Sequence, residues 1–417
     1  MSFYKIEGGA ALHGSIDVHG AKNAALPILA ATILNSGISV IHNCPDLSDI
    51  ESIITILRSL GCRVTRKGRL VTVDSSGFTS ADIPLEFMKQ TRSSTIFAGA
   101  LLARTKRAFI AGSGGCCIGK RPIDLHLKGF KALGADVSFR PDGILCRATH
   151  IYPCKIHLDF PSVGATENLM LASSLTPGLT VISNAAKEPE ISNLADYLRS
   201  IGVGIKGDGT SEIHIKGTCT PSYGEVTVIA DRIVAATYAA CVACAGGRVD
   251  VRGASPSLLS PVVATLRRMG MTIECRNDGF AAEKSSRCIN LPYLCTGPYP
   301  ALPTDCQPLI VAAMTTSYGF GALSEKIFEN RMAHCKRLCD MGADISVSGR
   351  TAMVRGAERL HGAAVDATDL RCGAALVAAA LGAEGTSLVT NIHYIDRGYE
   401  NLCTALKSVG ANIERIE

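Results

Sequence analysis

The sequence contains no tryptophan, and its aromatic residues together make up only 5% of the chain. A core built from it must be filled by small aliphatic side chains. It also lacks a long apolar run. The most extended weakly polar stretch, "IVAATYAACVACAGG", is too short and too interrupted to cross a bilayer, so no membrane partner is expected. Charge of one sign is scarce as well: 42 basic against 37 acidic residues leave a net charge of +5, with no dense Lys/Arg run. Nucleic-acid binders show a basic stripe or patch, and its absence argues against that class. The opening "MSFYKIEGGAALHG" has no charged segment followed by an apolar one, so no secretory signal is read and a cytoplasmic protein is expected.

What is plentiful is glycine, 41 residues, and cysteine, 17. Cysteines scattered in odd number through an unsignalled chain are most simply reduced thiols. Cys241 and Cys244 have the spacing of a metal or redox pair. No second pair accompanies them and they sit in an apolar helical run, so they are assigned to the core, and no metal is expected. A chain of 417 residues, 47% hydrophobic and 19% charged, is globular and too long for one ordinary core. Two domains are expected.

Six segments read alike: "LRSLGCRV", "FKALGADV", "LRSIGVGI", "LRRMGMTI", "LCDMGADI" and "LKSVGANI". Each is a helix end, a glycine and the start of a strand, recurring about every 70 residues. The glycines, Gly61, Gly134, Gly202, Gly270, Gly342 and Gly410, suit the left-handed position that closes a helix. In phase with them run six small-residue helices, such as "AKNAALPILAATIL" and "TDLRCGAALVAAAL". These are apolar on nearly every face and therefore buried. The repeat is strand, buried helix, strand, amphipathic helix, hairpin: a βαβαββ-like unit. "GSIDVHGAKNAALPILAATIL" also aligns with "GEVTVIADRIVAATYAACVAC" half a chain later. The expected fold is α/β, six repeats in two three-repeat domains, with helices inside and sheets outside. One domain is 22–229 and carries a cysteine loop, 112–121; the other is 1–21 and 230–417. The strand before Lys22 belongs with the second domain, and the strand before Arg232 completes the first.

Polar residues collect where the buried helices start: Lys22 and Asn23, Arg92, Ser162 and Thr166, Asp231 and Arg232, Asp305, Asp369 and Arg371. Helix N-termini carry unpaired N–H groups and a positive dipole end, so such ends facing a cleft would trap an anion. Asp231, Asp305 and Asp369 are equally well explained as N-caps. Lys22, Arg92 and Arg371 oppose the dipole, and something negative, a ligand or a carboxylate, should lie beside each. The loop "GSGGCCIGKRPIDLH" places Cys116 and Cys117 ahead of Lys120 and Arg121, cations that favour a thiolate or hold a proton donor near phosphate.

Taken together, "GAKNAALPILAATIL", "GGCCIGKRPIDLH", "FPSVGAT", "NAAKEPEI", "PTDCQ", "IFENR", "ATDLR" and "IDRGYE" resemble the enolpyruvyl transferases, and among them the UDP-N-acetylglucosamine 1-carboxyvinyltransferases. The likeness runs in order along the whole chain. It implies a two-domain inside-out α/β barrel with the active site between the domains. It implies transfer of the enolpyruvyl group of phosphoenolpyruvate to UDP-N-acetylglucosamine, with release of phosphate, at the first committed step of peptidoglycan synthesis. Both partners are small molecules, and no cofactor is implied.

By motif, the resemblance assigns proton donation and a thioether link to Cys116, makes it the target of fosfomycin, and leaves Cys117 a bystander. It makes Asp305 the general base beside the sugar hydroxyl. Lys22, Arg121 and Arg397 hold phosphoenolpyruvate, with Asn23 near the tetrahedral centre. Arg92, the run Arg121, Pro122, Ile123, Asp124 and Leu125, then Ser162, Val163, Gly164 and Ile327 contact the sugar nucleotide. His126, Arg331, Asp369 and Arg371 line the cleft. Glu188 and Glu190 are expected to be structural. Ser48, Phe160 and Val234 depart from common family residues and bear on nucleotide affinity. The rival readings are the sister transferase acting on 3-phosphoshikimate, a catalytically silent UDP-sugar-binding relative, and a repeat-built nucleic-acid clamp.

Overall fold

The computed structural model describes residues 2–84, 87, 93–111 and 122–417. Arg92, Cys116, Cys117, Lys120 and Arg121 lie outside the described residues. Two compact units are present: residues 2–19 with Ala230–Glu417, and a second drawn from residues 20–229.

The third repeat shows the expected unit in full. Its strand Lys155–His157 leads into the buried helix Val163–Ser173 and returns as the parallel strand Leu179–Ser183. The amphipathic helix Pro189–Ser200 follows, then the antiparallel strands Gly204–Lys206 and Glu212–Lys216. Six separate sheets result, rather than one closed hydrogen-bonded barrel. Five have four strands; the sheet of the second repeat has three among the described residues.

Two strands are lent along the chain. Leu12–Asp17 runs parallel to Gly247–Arg252, and Gly224–Thr227 runs parallel to Ile38–His42. A third loan was not legible in the repeats. Phe3–Glu7 inserts between Thr386–Thr390 and Asn412–Ile416, antiparallel to both, so the sixth repeat's hairpin is completed by the first strand of the chain.

The six repeat glycines close their helices by one motif, with φ between 90° and 101°. At Gly202, for example, its N–H bonds Arg199 O while Val203 N–H reaches back to Leu198 O, and the same pair of bonds recurs at the other five. That is the Schellman closure, with an apolar residue after the glycine packed toward the last helical turn. A side chain with a Cβ would be strained at such φ values.

The buried helices meet closely because their residues are small. In the 20–229 unit, Ser93–Thr105 packs on Val163–Ser173. Asn168 Oδ1 accepts from Gly99 N–H at 2.6 Å, and its amide donates to Thr95 O and Gly164 O at 2.9 and 3.1 Å. In the other unit, Leu370–Gly382 packs on Arg232–Ala245. Cys241 and Cys244 lie inside that second core, and burial pushes the Cys244 thiol up to about 12 and that of Cys241 well above its usual range. Both behave as small apolar residues.

A Cβ at Gly99 would stand 2.2 Å from the Asn168 carbonyl oxygen, whereas one at Gly37 meets nothing nearer than 3.6 Å. Gly99→Ala is therefore expected to cost about 1–3 kcal/mol through overpacking. Gly37→Ala should leave the denaturation midpoint nearly unchanged; equal midpoints for the two variants would contradict this packing account.

Candidate active site

In the unit that contains Ala230–Glu417, three buried helices begin with an aspartate at or near the first turn. Asp231 is an N-cap, its Oδ1 accepting from Ile233 and Val234 N–H at 2.9 and 3.1 Å. Asp369 does the same for Arg371 and Cys372 N–H. Asp305 does not. It lies in the short turn Thr304–Cys306 ahead of Gln307–Thr315 and caps nothing. Instead, its Oδ1 pairs with Arg331 Nη1 and its Oδ2 with Arg371 Nη2, each at 2.8 Å.

Both guanidiniums are almost fully buried, while about a quarter of the Asp305 side chain is open (24%). Burial alone would raise the Asp305 carboxyl. The Arg371 and then the Arg331 charges outweigh it and hold the group well below the usual carboxylate range. The negative partner expected beside Arg371 is thus a carboxylate. So is that of Lys22, whose Nζ lies 3.1 Å from Asp49 Oδ2 in the other unit.

Each arginine has further support. Arg331 Nη1 also donates to Thr304 Oγ1 at 2.9 Å, and its guanidinium lies 5.2 Å from the Phe328 ring centre. Behind Arg371 stands Tyr399, whose hydroxyl bonds Thr237 Oγ1 at 2.7 Å and also reaches Arg371. Burial pushes the Tyr399 hydroxyl up to about 12, so it stays protonated and able to donate. His334, beside Asp369, is pushed down to about 4 by burial and is neutral near pH 7. Ile327 is half-buried, and Arg397 closes the turn Ile392–Arg397, also half-buried.

In the 20–229 unit, the helix Lys22–Ala31 starts without a side-chain cap, and Asn23 on its first turn is exposed. The positive end of the helix dipole therefore lies beside the Lys22–Asp49 pair, with no side-chain cap on the first turn. Ser162 caps Val163–Ser173 through Ala165 N–H, and Thr166 accepts from Ala186 N–H, so both hydroxyls serve the fold. Pro122 and Asp124 are exposed, with Ile123 and Leu125 half-buried. The His126 ring lies against Gly164, where a Cβ would be 3.4 Å from its Cε1. That contact brings the 122–126 and 162–164 segments together. Burial pushes His126 down to about 4, so it is neutral and works as packing.

Asp49, Glu167, Glu325 and Tyr399 escaped the sequence reading, while Glu190 was read as structural. Asp49 and Glu190 stand at the same distance before their repeats' closing glycines, a symmetry the sequence does contain. Glu167, facing Glu190 and Glu188, has its carboxyl raised well above the usual range, by burial first and then by their charges. Glu325 is 1% exposed and gathers four donors. Nothing in its local sequence marks it out.

Among the described residues no helix is long and apolar enough to cross a membrane, and no three His, Cys, Asp or Glu side chains are placed to hold a metal. The solved structure of the enolpyruvyl transferase NikO from Streptomyces tendae matches over 99% of this chain and 98% of its own, with a TM-score of 0.90 at 24% identity. An EPSP synthase from Acinetobacter baumannii matches over the full length of both, with a TM-score of 0.77 at 16% identity. These likenesses speak to the fold alone and bear out the α/β architecture.

The sequence comparisons go further. The sequence model of the EPSP synthase (3-phosphoshikimate 1-carboxyvinyltransferase) family matches residues 6–406. UDP-N-acetylglucosamine 1-carboxyvinyltransferase 2 of Caldanaerobacter subterraneus is 49% identical over the full length of both chains. The UDP-N-acetylglucosamine 1-carboxyvinyltransferase of Solidesulfovibrio magneticus is 41% identical over 99% of each, and that numbered 2 in Carboxydothermus hydrogenoformans is 43% identical over all of both. With likeness of that depth along its whole length, the chain belongs to the enolpyruvyl (1-carboxyvinyl) transferases and is an enzyme of that family.

Proposed function

We propose that this enzyme transfers the enolpyruvyl group of phosphoenolpyruvate to the 3′-hydroxyl of UDP-N-acetylglucosamine, in the cytoplasm, as the first committed step of peptidoglycan synthesis. What carries the reading is full-length identity of 41–49% to relatives named for that reaction. A proton is delivered to the methylene carbon of phosphoenolpyruvate, and the sugar hydroxyl, losing its own proton, adds to C2. The tetrahedral adduct keeps the phosphate. Loss of a methyl proton then expels phosphate and restores the double bond. Each proton transfer is worth about 10²–10⁴-fold when a side chain is positioned for it.

The reading assigns the donor to Cys116, which lies outside the described residues, and makes that thiol the fosfomycin target. Lys22, Arg121 and Arg397 hold the phosphate and carboxylate of phosphoenolpyruvate, with Asn23 at the tetrahedral centre. Arg121 and Arg397 stand equally far ahead of Gly134 and Gly410, as if one anion-binding position had been used in two repeats. The planar guanidinium suits both anions because it donates to two oxygens at once. Arg92, the 121–125 run, Ser162 to Gly164 and Ile327 take the nucleotide, and Arg331, Asp369 and Arg371 line the site.

Asp305 has the general-base role beside the sugar hydroxyl. Between two guanidiniums it is firmly ionised and a weak base, so its contribution is first to orient the hydroxyl and then to take the proton as charge rearranges around bound substrate. Asp305→Asn is expected to lower kcat about 10²–10⁴-fold, measured by phosphate release.

The pH dependence has a definite sign. The carboxyl is held low, so it stays ionised as pH falls through the ordinary carboxylate range, and the wild-type acid limb of kcat/KM is not set by Asp305. In Arg371→Met the largest lowering influence is gone and burial raises the carboxyl. The acid limb should then move to higher pH. An unmoved limb would mean that Asp305 is not the group being read.

The deciding assay is phosphate release from phosphoenolpyruvate with UDP-N-acetylglucosamine or shikimate 3-phosphate as acceptor, in wild type, Cys116→Ser and Cys117→Ser. Release that needs the sugar nucleotide and survives only in wild type and Cys117→Ser supports the reading. Release with shikimate 3-phosphate alone would favour the sister reaction.

A further inference from the structure

Glu325 follows the strand Phe320–Ser324 and is buried to 1% exposure. A carboxylate there must be satisfied by donors or its desolvation is prohibitive. Its Oε1 accepts from Thr296 Oγ1 at 3.0 Å and from Ile327 and Phe328 N–H at 2.7 and 3.1 Å. Its Oε2 accepts from Thr304 Oγ1 at 2.9 Å. Thr296 Oγ1 in turn accepts from Lys326 N–H at 2.8 Å. All four donors to Glu325 are neutral, and none belongs to a substrate-binding group assigned above except the Ile327 backbone.

The two oxygens lead to different places. Oε1 fixes the beginning of the loop that carries Ile327. Oε2 holds the Thr304 hydroxyl, and that hydroxyl accepts from Arg331 Nη1 at 2.9 Å, the same nitrogen that pairs with Asp305 Oδ1 at 2.8 Å. Arg331 ends the loop that Glu325 begins. One carboxylate thus ties both ends of the 325–331 segment, and Thr304 is covalently next to Asp305.

We infer that Glu325 is a positioning residue for the transfer, setting Asp305 through Thr304 and Arg331 and setting the nucleotide-contacting loop through the Ile327 and Phe328 amides. This rests on the reading of Asp305 and Ile327 given under Proposed function. The requirement is for an acceptor-only group. An ionised carboxylate offers lone pairs to all four donors, whereas a glutamine of the same shape turns two hydrogens toward donors. The charged groups around Asp305 are Arg331 from this loop and Arg371 from the helix Leu370–Gly382. Farther out, Asp231 and Tyr399 lie in the field of Arg371, and Asp231 and Arg232 in that of Cys306, the residue after Asp305.

The test compares wild type, Glu325→Gln, Thr304→Val and Thr304→Ser in the phosphate-release assay, with kcat, the KM of each substrate and the pH profile of kcat/KM. Glu325→Gln should lower kcat about tenfold and raise the KM of UDP-N-acetylglucosamine by a similar factor, since buried donors are left facing hydrogens. The KM of phosphoenolpyruvate should change little, and the acid limb should move to higher pH as Arg331 loosens from Asp305. Thr304→Val should reproduce the kcat loss and the shifted limb while leaving the nucleotide KM near wild type. Thr304→Ser should restore both.

A merely structural role would reduce the amount of active enzyme, moving apparent kcat alone. Glu325→Gln with wild-type KM values and an unmoved acid limb overturns the inference. If Glu325→Gln does not fold, Thr304→Val with wild-type kcat and profile overturns it. Wild type that releases no phosphate with UDP-N-acetylglucosamine defeats the functional reading itself, and this inference falls with it; the variant results separate the two failures.

Discussion

A helix buried on every side has nowhere to carry charge except at its ends. The rest of this structure follows from that constraint. Small residues let helices such as Ser93–Thr105 and Val163–Ser173 approach until Gly99 lies against the Asn168 backbone. Close packing of this kind makes charge along the shaft costly, and the one carboxyl described there, Glu167, is pushed well above the usual range by burial. Polar residues are therefore driven to the helix starts, where unpaired N–H groups and the dipole favour anions.

At those starts the repeats diverge. Asp231, Asp369 and Ser162 became caps, and their side chains are largely consumed in serving the fold. Lys22 and Arg371 are cations at the wrong end of a dipole, and each is balanced by a carboxylate brought from elsewhere in its own unit, Asp49 and Asp305. Asp305 is the one aspartate of the three that caps nothing and remains partly open. A carboxylate gripped by two buried guanidiniums is well oriented and weakly basic, and the general-base role proposed for Asp305 starts from that state.

Support for that grip comes from two directions. Tyr399 and Thr237 stand behind Arg371, and Glu325 with Thr304 stands behind Arg331. These hydroxyls and the carboxylate never need to touch substrate. They remove alternatives for the arginines, which is how a site on ordinary side chains acquires a fixed geometry. The exchanged strands serve the architecture in a similar way, since Phe3–Glu7 ties the first residues into the sheet that precedes Arg397.

The sequence by itself determined the repeat, the buried helices, the six closing glycines and the places where chemistry-bearing residues gather. Those features are local: a 3.6-residue period, a left-handed glycine and a polar helix start are written within a few neighbouring residues. Its family motifs named Asp305, Arg371 and Arg331 but carried no information on which aspartate would cap and which would pair. Only the tertiary structure decided that, because the choice depends on which guanidinium arrives from a distant repeat. Glu325 and Tyr399 were invisible for the same reason, their partners at Thr304 and Thr237 being remote in the chain and meeting them only after the helices pack. The strand Phe3–Glu7 was likewise decided late, since a strand's neighbours are set by which sheet edge remains open once the repeats have folded.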